Sequence, residues 1–157
     1  YIKFQGRFIY LATIIDVFTR EIIGWNISMR HDTQLVLGAI KHAIKRTGAT
    51  PIYLHSDQGS EYAAKAYEDY VLKKGKLISM SRKSSPWENA FQESFYSQFK
   101  VELGQVSRFE AVEELFEEIY QTIYYYNNSR MHTSLKMSPI VFKKQYEDRL
   151  QKVRITV

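Results

Sequence analysis

An α/β fold, with a mixed sheet covered by helices, is the architecture that the sequence predicts. Residues 1–29 contain three runs rich in β-branched and aromatic side chains, separated by short polar turns, as in consecutive antiparallel strands. Beyond them, short apolar runs alternate with segments of helical periodicity, as in strands connected through helices. Because 45% of the residues are hydrophobic, one domain spanning residues 1–157 is expected to build a single core.

Three strands follow one another at the start of the chain. They are predicted at residues 1–4, 8–18 and 21–29, with turns at Gln5-Gly6-Arg7 and Thr19-Arg20. Two shorter apolar runs predict strands at residues 51–56 and 77–80. Together they predict a mixed five-stranded sheet in which the first three strands are antiparallel.

Five segments show helical spacing or signals of helix ends. The first is capped by Asp32 or Thr33 and ends at Gly48, since glycine favours the left-handed conformation that terminates helices. The third begins near Pro86, within the capping-box pattern of residues 85–88. The other three helices are predicted at residues 62–74, 108–126 and 138–149.

The composition limits the kinds of site that the chain can form. No cysteine is present, so a metal must be held by carboxylates, imidazoles or carbonyl oxygens, which favours Mg²⁺ or Mn²⁺. Neither a long uncharged apolar run nor a signal-peptide pattern is found, so a soluble cytoplasmic protein without a membrane partner is expected.

Positive charge dominates most of the chain. The net charge is +5, although residues 110–118 contain five glutamates and no lysine or arginine. The rest of the chain therefore carries +10. A basic surface of this kind suits a polyanion such as nucleic acid.

Two carboxylates occupy positions at which α/β proteins carry functional groups. Asp57 follows the predicted strand at residues 51–56, whose carboxyl end is a usual place for ligand-binding side chains. Glu93 lies on the third helix, close to the same face as Asn89 and Lys100, since seven residues make about two turns. The same two residues also suit simpler roles, a turn cap for Asp57 and a solvated surface charge for Glu93.

Four blocks of sequence together resemble a known family. They are YLATIIDVFTREIIGW at residues 10–25, HSDQGSEY at 55–62, SRKSSPWENAFQESFYSQFKVE at 81–102 and YNNSRMHTSLKMSP at 126–139. Their content and order resemble the catalytic domain of bacterial insertion-sequence transposases of the retroviral-integrase type. The resemblance extends from Tyr1 to about Phe142.

This resemblance implies a ribonuclease H-like fold and the catalytic core of a DDE transposase. In such enzymes two aspartates and a glutamate hold two divalent metal ions, Mg²⁺ or Mn²⁺, and Asp57 matches the second carboxylate and Glu93 the third. It also implies DNA as the substrate, with cleavage at element ends and transfer of the 3′-hydroxyl to target DNA. Bringing two ends together implies a homodimer or a higher oligomer.

The first carboxylate departs from the family pattern. Related transposases carry it on the first strand, at a position just before Tyr1, so it is expected to be missing from these 157 residues. Asp16 is the one substitute considered, but it matches a different block, and a structural role at the strand end is favoured for it. With the first carboxylate missing, the chain alone is expected to bind metal poorly and to transfer little or no DNA strand.

The motif blocks also suggest residues that contact DNA or support the site. Lys100 matches a basic position and suits a DNA phosphate, and Asn89 is expected to orient the site. His55 shares a strand face with Asp57, and a structural role beside the metals is favoured for it. DNA contacts are further considered for Arg82, Lys83, Arg130 and His132. The alternative for these residues, as for Lys100, is a structural or solvated role.

Two other functions stay open on the sequence. One is a ribonuclease H-like nuclease that acts on RNA–DNA hybrids, which the YNNSRMH block disfavours because it resembles transposases. The other is a non-catalytic module for DNA binding or assembly, which the expected lack of the first carboxylate favours.

Overall fold

The computed structural model of the chain describes residues 1–49, 52–57, 59, 61–62, 64–75, 77–81 and 89–155. Five strands and five α-helices are found in these ranges, and the chain divides into two units. Unit 1 comprises Tyr1–Ile15 and Ile23–Ser97, and unit 2 comprises Asp16–Ile22 and Gln98–Val157.

The five strands pair as two sheets. The strands are β1 Ile2–Phe4, β2 Arg7–Ile15, β3 Ile22–Ser28, β4 Tyr53–Ser56 and β5 Leu77–Met80. The first three form one sheet in the order β1-β2-β3, whereas β4 and β5 form a parallel pair. The predicted strands and the α/β class are confirmed, although across the described residues they form two sheets instead of the single five-stranded sheet expected.

A two-residue turn joins β1 to β2. Phe4 lies opposite Arg7 in the antiparallel pairing, which leaves Gln5 and Gly6 as the turn. Both have positive φ, 46° and 77°, as in the hairpin turns whose twist matches that of the flanking strands. The hairpin predicted at this point of the sequence is therefore confirmed.

The helices are α1 Thr33–Thr47, α2 Lys65–Lys73, α3 Ala90–Leu103, α4 Val112–Asn128 and α5 Pro139–Ile155. The ends of α1 are those predicted, since Asp32 accepts a hydrogen bond from the Leu35 amide at 3.1 Å and Gly48 follows with φ of 66°. The capping box predicted at residues 85–88 lies outside the described residues. Within the described part of the chain, every helix is too short or too polar to cross a membrane.

Several element ends differ from the prediction. α2 begins at Lys65 rather than residue 62, α4 begins at Val112 rather than residue 108, and α5 extends to Ile155 rather than residue 149. β2 ends at Ile15 rather than residue 18, because the Asp16 carboxylate accepts hydrogen bonds from the amide and hydroxyl of Thr19 at 2.6 and 2.7 Å and turns the chain. These bonds give Asp16 the structural role that was favoured for it. α4 extends two residues beyond Tyr126 to Asn128, and within this extension the buried side chain of Asn127 is hydrogen-bonded to Ile22.

One hydrophobic cluster of unit 1 lies among α1, β4 and α2. Its buried residues are Val36, Leu37, Ile40, Leu54, Tyr67 and Val71. β3 approaches α1 closely at Gly24, where an added Cβ would lie 2.5 Å from the carbonyl oxygen of Ala39. Glycine is required at this point because any side chain would overlap the backbone of the helix.

Polar contacts organise unit 2, in which α4 and α5 pack together. The side-chain amide of Asn127 accepts a hydrogen bond from the Ile22 N–H at 2.8 Å and donates one to the Ile22 carbonyl at 2.9 Å. Lys143 of α5 lies 3.2 Å from Glu21, whose side chain is only 3% exposed. Both contacts bind the segment Asp16–Ile22 to the helices of this unit.

Candidate active site

Asp57 directly follows β4, at the carboxyl end of the parallel pair with β5. The residue is exposed, and its Oδ1 accepts a hydrogen bond from the Gly59 amide at 3.0 Å. A further bond runs from the Tyr62 amide to the Gly59 carbonyl oxygen at 3.0 Å. Asp57 is therefore part of a turn and also presents a carboxylate at the surface.

A second contact holds the segment after β4. Glu61 Oε1 lies 3.2 Å from His31 Nε2, and the His31 ring stacks on Tyr10 with 5.0 Å between centroids. The Glu61 carboxylate lies against Gly59, where an added Cβ would be 2.8 Å from its Oε1. The absence of a side chain at residue 59 leaves room for this position of Glu61.

Glu93 lies in the first turn of α3 and is exposed. Its neighbour Gln92 and also Tyr96, one turn further on, are hydrogen-bonded to Thr13 of β2. Glu93 thus extends from a helix that is fixed to the sheet by residues on either side of it.

Tyr62 lies close to both segments that carry the candidate carboxylates. Burial raises the pKa of its hydroxyl well above the ordinary value of 10.0, and the charge of Asp57, followed by Tyr96, raises it further. Asp57 follows β4, and Tyr96 lies three residues after Glu93 on α3. The charge of Asp57 and a residue of α3 thus both act on this partly buried tyrosine.

The donor chemistry of Asp57 and Glu93 suits a hard divalent cation, because both residues present exposed carboxylate oxygens. Among the described residues, however, no three His, Asp or Glu side chains converge in a way that would hold a metal. The described part of the chain therefore shows two exposed carboxylates but no assembled metal site.

His55 and Asn89, predicted to support the site, make contacts close to the two carboxylates. His55 Nδ1 of β4 lies 2.9 Å from the hydroxyl of Ser79, its cross-strand neighbour on β5. Asn89 donates from Nδ2 to the hydroxyl of Ser81 at 3.2 Å, which ties the start of α3 to the residue after β5. Each contact orders an element next to a candidate carboxylate.

Arg130 and His132 lie together in unit 2. Arg130 donates a hydrogen bond to Gln98 Oε1 at 2.8 Å and lies 3.5 Å from Glu102 Oε1, both on α3. Burial, then the charges of Arg130 and Arg20, lower the pKa of His132, so its ring is neutral near pH 7. Arg130 therefore already has partners within the unit, and His132 carries no charge for a phosphate.

Of the three lysine and arginine residues predicted to contact DNA near Glu93, the structure describes one. Lys100 lies on α3, seven residues after Glu93, and is exposed. Arg82 and Lys83 lie outside the described residues.

Five residues around the candidates were not singled out in the sequence. They are Thr13, His31, Glu61, Gln92 and Tyr96. Thr13 carries a detectable signal, as a polar residue within an apolar strand, and Gln92 and Tyr96 have the i, i+4 spacing of one helix face. No local pattern links His31 to Glu61, because their contact depends on the fold.

Comparison with known families identifies the family to which these motifs belong. Two family profiles, each described as an integrase core domain, match residues 1–86 and residues 74–139. The chain belongs to the integrase core domain family. The resemblance to transposase and integrase catalytic cores that the four sequence blocks predicted is thereby confirmed.

Several relatives of this integrase core are named as transposases. The transposase for insertion sequence element IS904 of Lactococcus lactis is 40% identical over 147 residues, which cover 92% of this chain and 58% of the relative. An uncharacterized transposase-like protein of Haemophilus influenzae is 37% identical, with 90% and 65% covered. The putative transposase InsK for IS150 of Escherichia coli is 34% identical, with 90% and 50% covered. The chain therefore spans half to two thirds of the length of these relatives.

Solved structures of viral integrases share the fold of this integrase core. The HTLV-2 integrase catalytic core domain in complex with magnesium is 13% identical with a TM-score of 0.69, and 90% of this chain and 88% of that one are covered. The BIV integrase catalytic core is 15% identical with a TM-score of 0.69 and coverages of 95% and 93%. These likenesses confirm the ribonuclease H-like fold.

Proposed function

We propose that this integrase core is the catalytic core of a DNA transposase, which cleaves DNA at element ends and joins the 3′-hydroxyl to target DNA. The observation that carries the proposal is the pair of exposed carboxylates, Asp57 and Glu93, in a chain whose relatives are named transposases. The charge of Asp57 and Tyr96 of α3 both raise the pKa of Tyr62, which supports a single shared site.

Asp57 and Glu93 are the proposed ligands of Mg²⁺ or Mn²⁺, two ions in the intact protein. Bound divalent ions supply an activated hydroxyl nucleophile and stabilise the leaving oxygen of a phosphodiester. The exposure of both carboxylates supports this role, because ions that also contact DNA must be reached from solvent. The magnesium complex of the HTLV-2 integrase core supports the choice of metal.

Other residues of the chain are proposed to bind and orient the DNA. Lys100 binds a backbone phosphate from its exposed position on α3. Arg82 and Lys83, which precede Glu93 in the sequence, are proposed to contact the same DNA. Asn89 and His55 hold α3 and β4 in place through their contacts with residues next to and on β5.

For Arg130 and His132, DNA contact stays a prediction. The pairing of Arg130 with Gln98 and Glu102 favours a second role, in which it orders the chain that follows α4. A neutral His132 suits hydrogen bonding rather than charge neutralisation.

DNA is the proposed partner, and the bacterial nucleoid within the cytoplasm is the proposed place of action. Joining two element ends requires two active sites, which favours a homodimer or a higher oligomer. The trimeric and dimeric forms named for the HTLV-2 integrase core support such assembly.

The proposal is tested with Glu93→Gln in the full-length transposase that contains this chain. The substitution removes a charge with little change in volume, so joining of a labelled element-end duplex in Mg²⁺ should be abolished, while circular dichroism and DNA affinity stay unchanged. The matched control is Glu113→Gln, a glutamate in the first turn of α4, which should leave joining intact. Joining by the Glu93→Gln variant would contradict the assignment.

The same assay separates the rival functions. Preferential cleavage of an RNA–DNA hybrid over DNA ends would indicate a ribonuclease H-like nuclease. Salt-dependent DNA binding without metal-dependent cleavage would indicate a binding or assembly module.

A further inference from the structure

Glu93 extends from a helix that makes polar contacts with the sheet as well as burying apolar side chains such as Phe95. We propose that Thr13, Gln92 and Tyr96 form a clasp that holds α3 on β2 and positions the Glu93 carboxylate for metal binding. The inference rests on the proposed function, since it concerns the metal-binding role of Glu93. The three residues are positioning residues, because they act through Glu93.

The clasp is a relay of hydrogen bonds. Gln92 Nε2 donates to the Thr13 hydroxyl and, at 3.3 Å, to the Thr13 carbonyl oxygen. The Thr13 hydroxyl donates to the Tyr96 hydroxyl at 3.1 Å, and the Tyr96 hydroxyl donates to the Leu11 carbonyl oxygen at 2.9 Å. Each hydroxyl therefore both accepts and donates, an arrangement in which neighbouring hydrogen bonds strengthen one another.

Burial makes these contacts matter. Thr13 is only 8% exposed, and burial raises the pKa of Tyr96 despite its hydrogen bonds. A buried hydroxyl that loses its partner pays the full cost of lost hydration, so the relay strongly favours one arrangement of the helix. An apolar contact of the same area would allow the helix to slide or rotate by a small amount.

The clasp fixes the direction of Glu93. Gln92 and Tyr96 are four residues apart and so lie on one side of α3, while Glu93 is turned by about 100° from Gln92. With both ends of this turn attached to Thr13, neither rotation nor translation of the helix is free. A metal site needs its ligands held to within about 0.5 Å, which a clasped helix provides and a loosely packed one does not.

Removing single hydroxyl groups in the full-length transposase tests the clasp. Thr13→Val keeps the shape of the side chain, Thr13→Ser keeps its hydroxyl, and Tyr96→Phe removes the other hydroxyl. Thr13→Val and Tyr96→Phe should weaken Mn²⁺ binding in the absence of DNA, followed by electron paramagnetic resonance of the free ion, by about tenfold. Joining should then need about tenfold more Mn²⁺ for half-maximal rate, with DNA affinity unchanged, and Thr13→Ser should behave like the wild type.

Thr122→Val is the matched control. Thr122 is a threonine of similar burial in α4, at 6% exposure, and its substitution tests what the loss of a buried hydroxyl does elsewhere in the chain. It should lower the melting temperature without changing the Mn²⁺ dependence. Measurements at a temperature where all variants are folded by circular dichroism keep the two effects apart.

Two results would overturn the clasp. One is wild-type Mn²⁺ binding and metal dependence in Tyr96→Phe, which also decides the matter if Thr13→Val does not fold. The other is a Thr13→Ser variant as impaired as Thr13→Val, since then the hydroxyl is not responsible. The proposed function fails separately, if Glu93→Gln retains Mn²⁺ binding and joining.

Discussion

The two candidate carboxylates of unit 1 are held in opposite ways. Asp57 is fixed by near neighbours in the chain, above all by the amide of Gly59 two residues later. Glu93 is fixed by its helix, whose contacts reach from Gln92 and Tyr96 to β2, 79 to 85 residues earlier. The position of Asp57 depends on local turn chemistry and that of Glu93 on tertiary contacts. Different substitutions should therefore displace each carboxylate.

Removing the Asp57 carboxylate has the largest expected effect. It tests whether Asp57 and Glu93, although held in different ways, belong to one metal site. Asp57→Asn keeps the acceptor oxygen for the Gly59 amide but removes the charge that would bind a divalent ion. Joining should fall by on the order of a thousandfold or more, as in Glu93→Gln. Chelation of metal by EDTA should reduce the wild type to the same level. A variant that joins DNA normally would leave Glu93 without its proposed companion.

A long-range polar contact in unit 2 should affect stability rather than chemistry. Asn127→Leu removes both hydrogen bonds to Ile22 and should lower the free energy of unfolding by about 2 kcal/mol, measured by urea titration. The control is Asn128→Leu, whose side chain bonds the Tyr124 carbonyl at the surface and should change stability by less than about 0.5 kcal/mol. Equal losses in both variants would argue against a special role of Asn127.

Gly59→Ala keeps the amide that bonds Asp57 but disturbs the contact of Glu61 with His31, which holds the segment after β4. The new Cβ would lie 2.8 Å from the Glu61 carboxylate, which must then leave its contact with His31. Joining should fall about tenfold. Adding Glu61→Ala should cancel the extra loss, because the two substitutions act through one overlap. Strictly additive losses would show that the overlap is not the cause.

The contribution of Lys100 to DNA binding should be smaller. Lys100→Gln should weaken binding severalfold and reduce the slope of log affinity against log salt by about one, since one phosphate contact is lost. Lys45→Gln, at an exposed lysine in the last turn of α1, is the control. The prediction fails if both variants show the same salt dependence.

The smallest effect concerns Tyr62 and the pH dependence of stability above pH 10. Its folded pKa lies above the unfolded value of 10.0, so its contribution to stability is fully present below pH 10 and is lost as the pH rises further. Tyr62→Phe should therefore flatten the fall of stability above pH 10. Asp57→Asn should lower the pKa of Tyr62 but not that of Tyr96, measured by NMR of labelled tyrosines. A lower pKa of Tyr62 with an unchanged pKa of Tyr96 would show that the charge of Asp57 acts on its own segment and not on the helix of Glu93.

The same contrast explains what the sequence alone could predict. The cap of α1 at Asp32 and the turn at Gln5-Gly6 are local, and both were predicted correctly. The end of β2 was placed three residues too late, because its apolar residues continue past the point where Asp16 turns the chain. The turn at Asp57 is also local, and the sequence indicated it, as it did the cap of α1.

Contacts between distant residues could not be predicted. The motif block around Glu93 identified the carboxylate, but nothing in that block specifies Thr13 as the partner of Gln92 and Tyr96. The contact of Glu61 with His31 is hidden for the same reason, since side-chain pairs of this kind depend on how the elements are arranged in space.

The bonds between Asn127 and Ile22 also have a consequence for synthesis of the chain. They join residues separated by 105 positions, so they cannot form until the end of α4 has been translated. At 5 to 20 residues per second, the delay is roughly 5 to 20 s. During that time the segment Asp16–Ile22 leaves the ribosome well before the helices that bind it. Unit 2 is therefore completed late. Most of unit 1 is translated while the segment Asp16–Ile22 still lacks the helices that bind it.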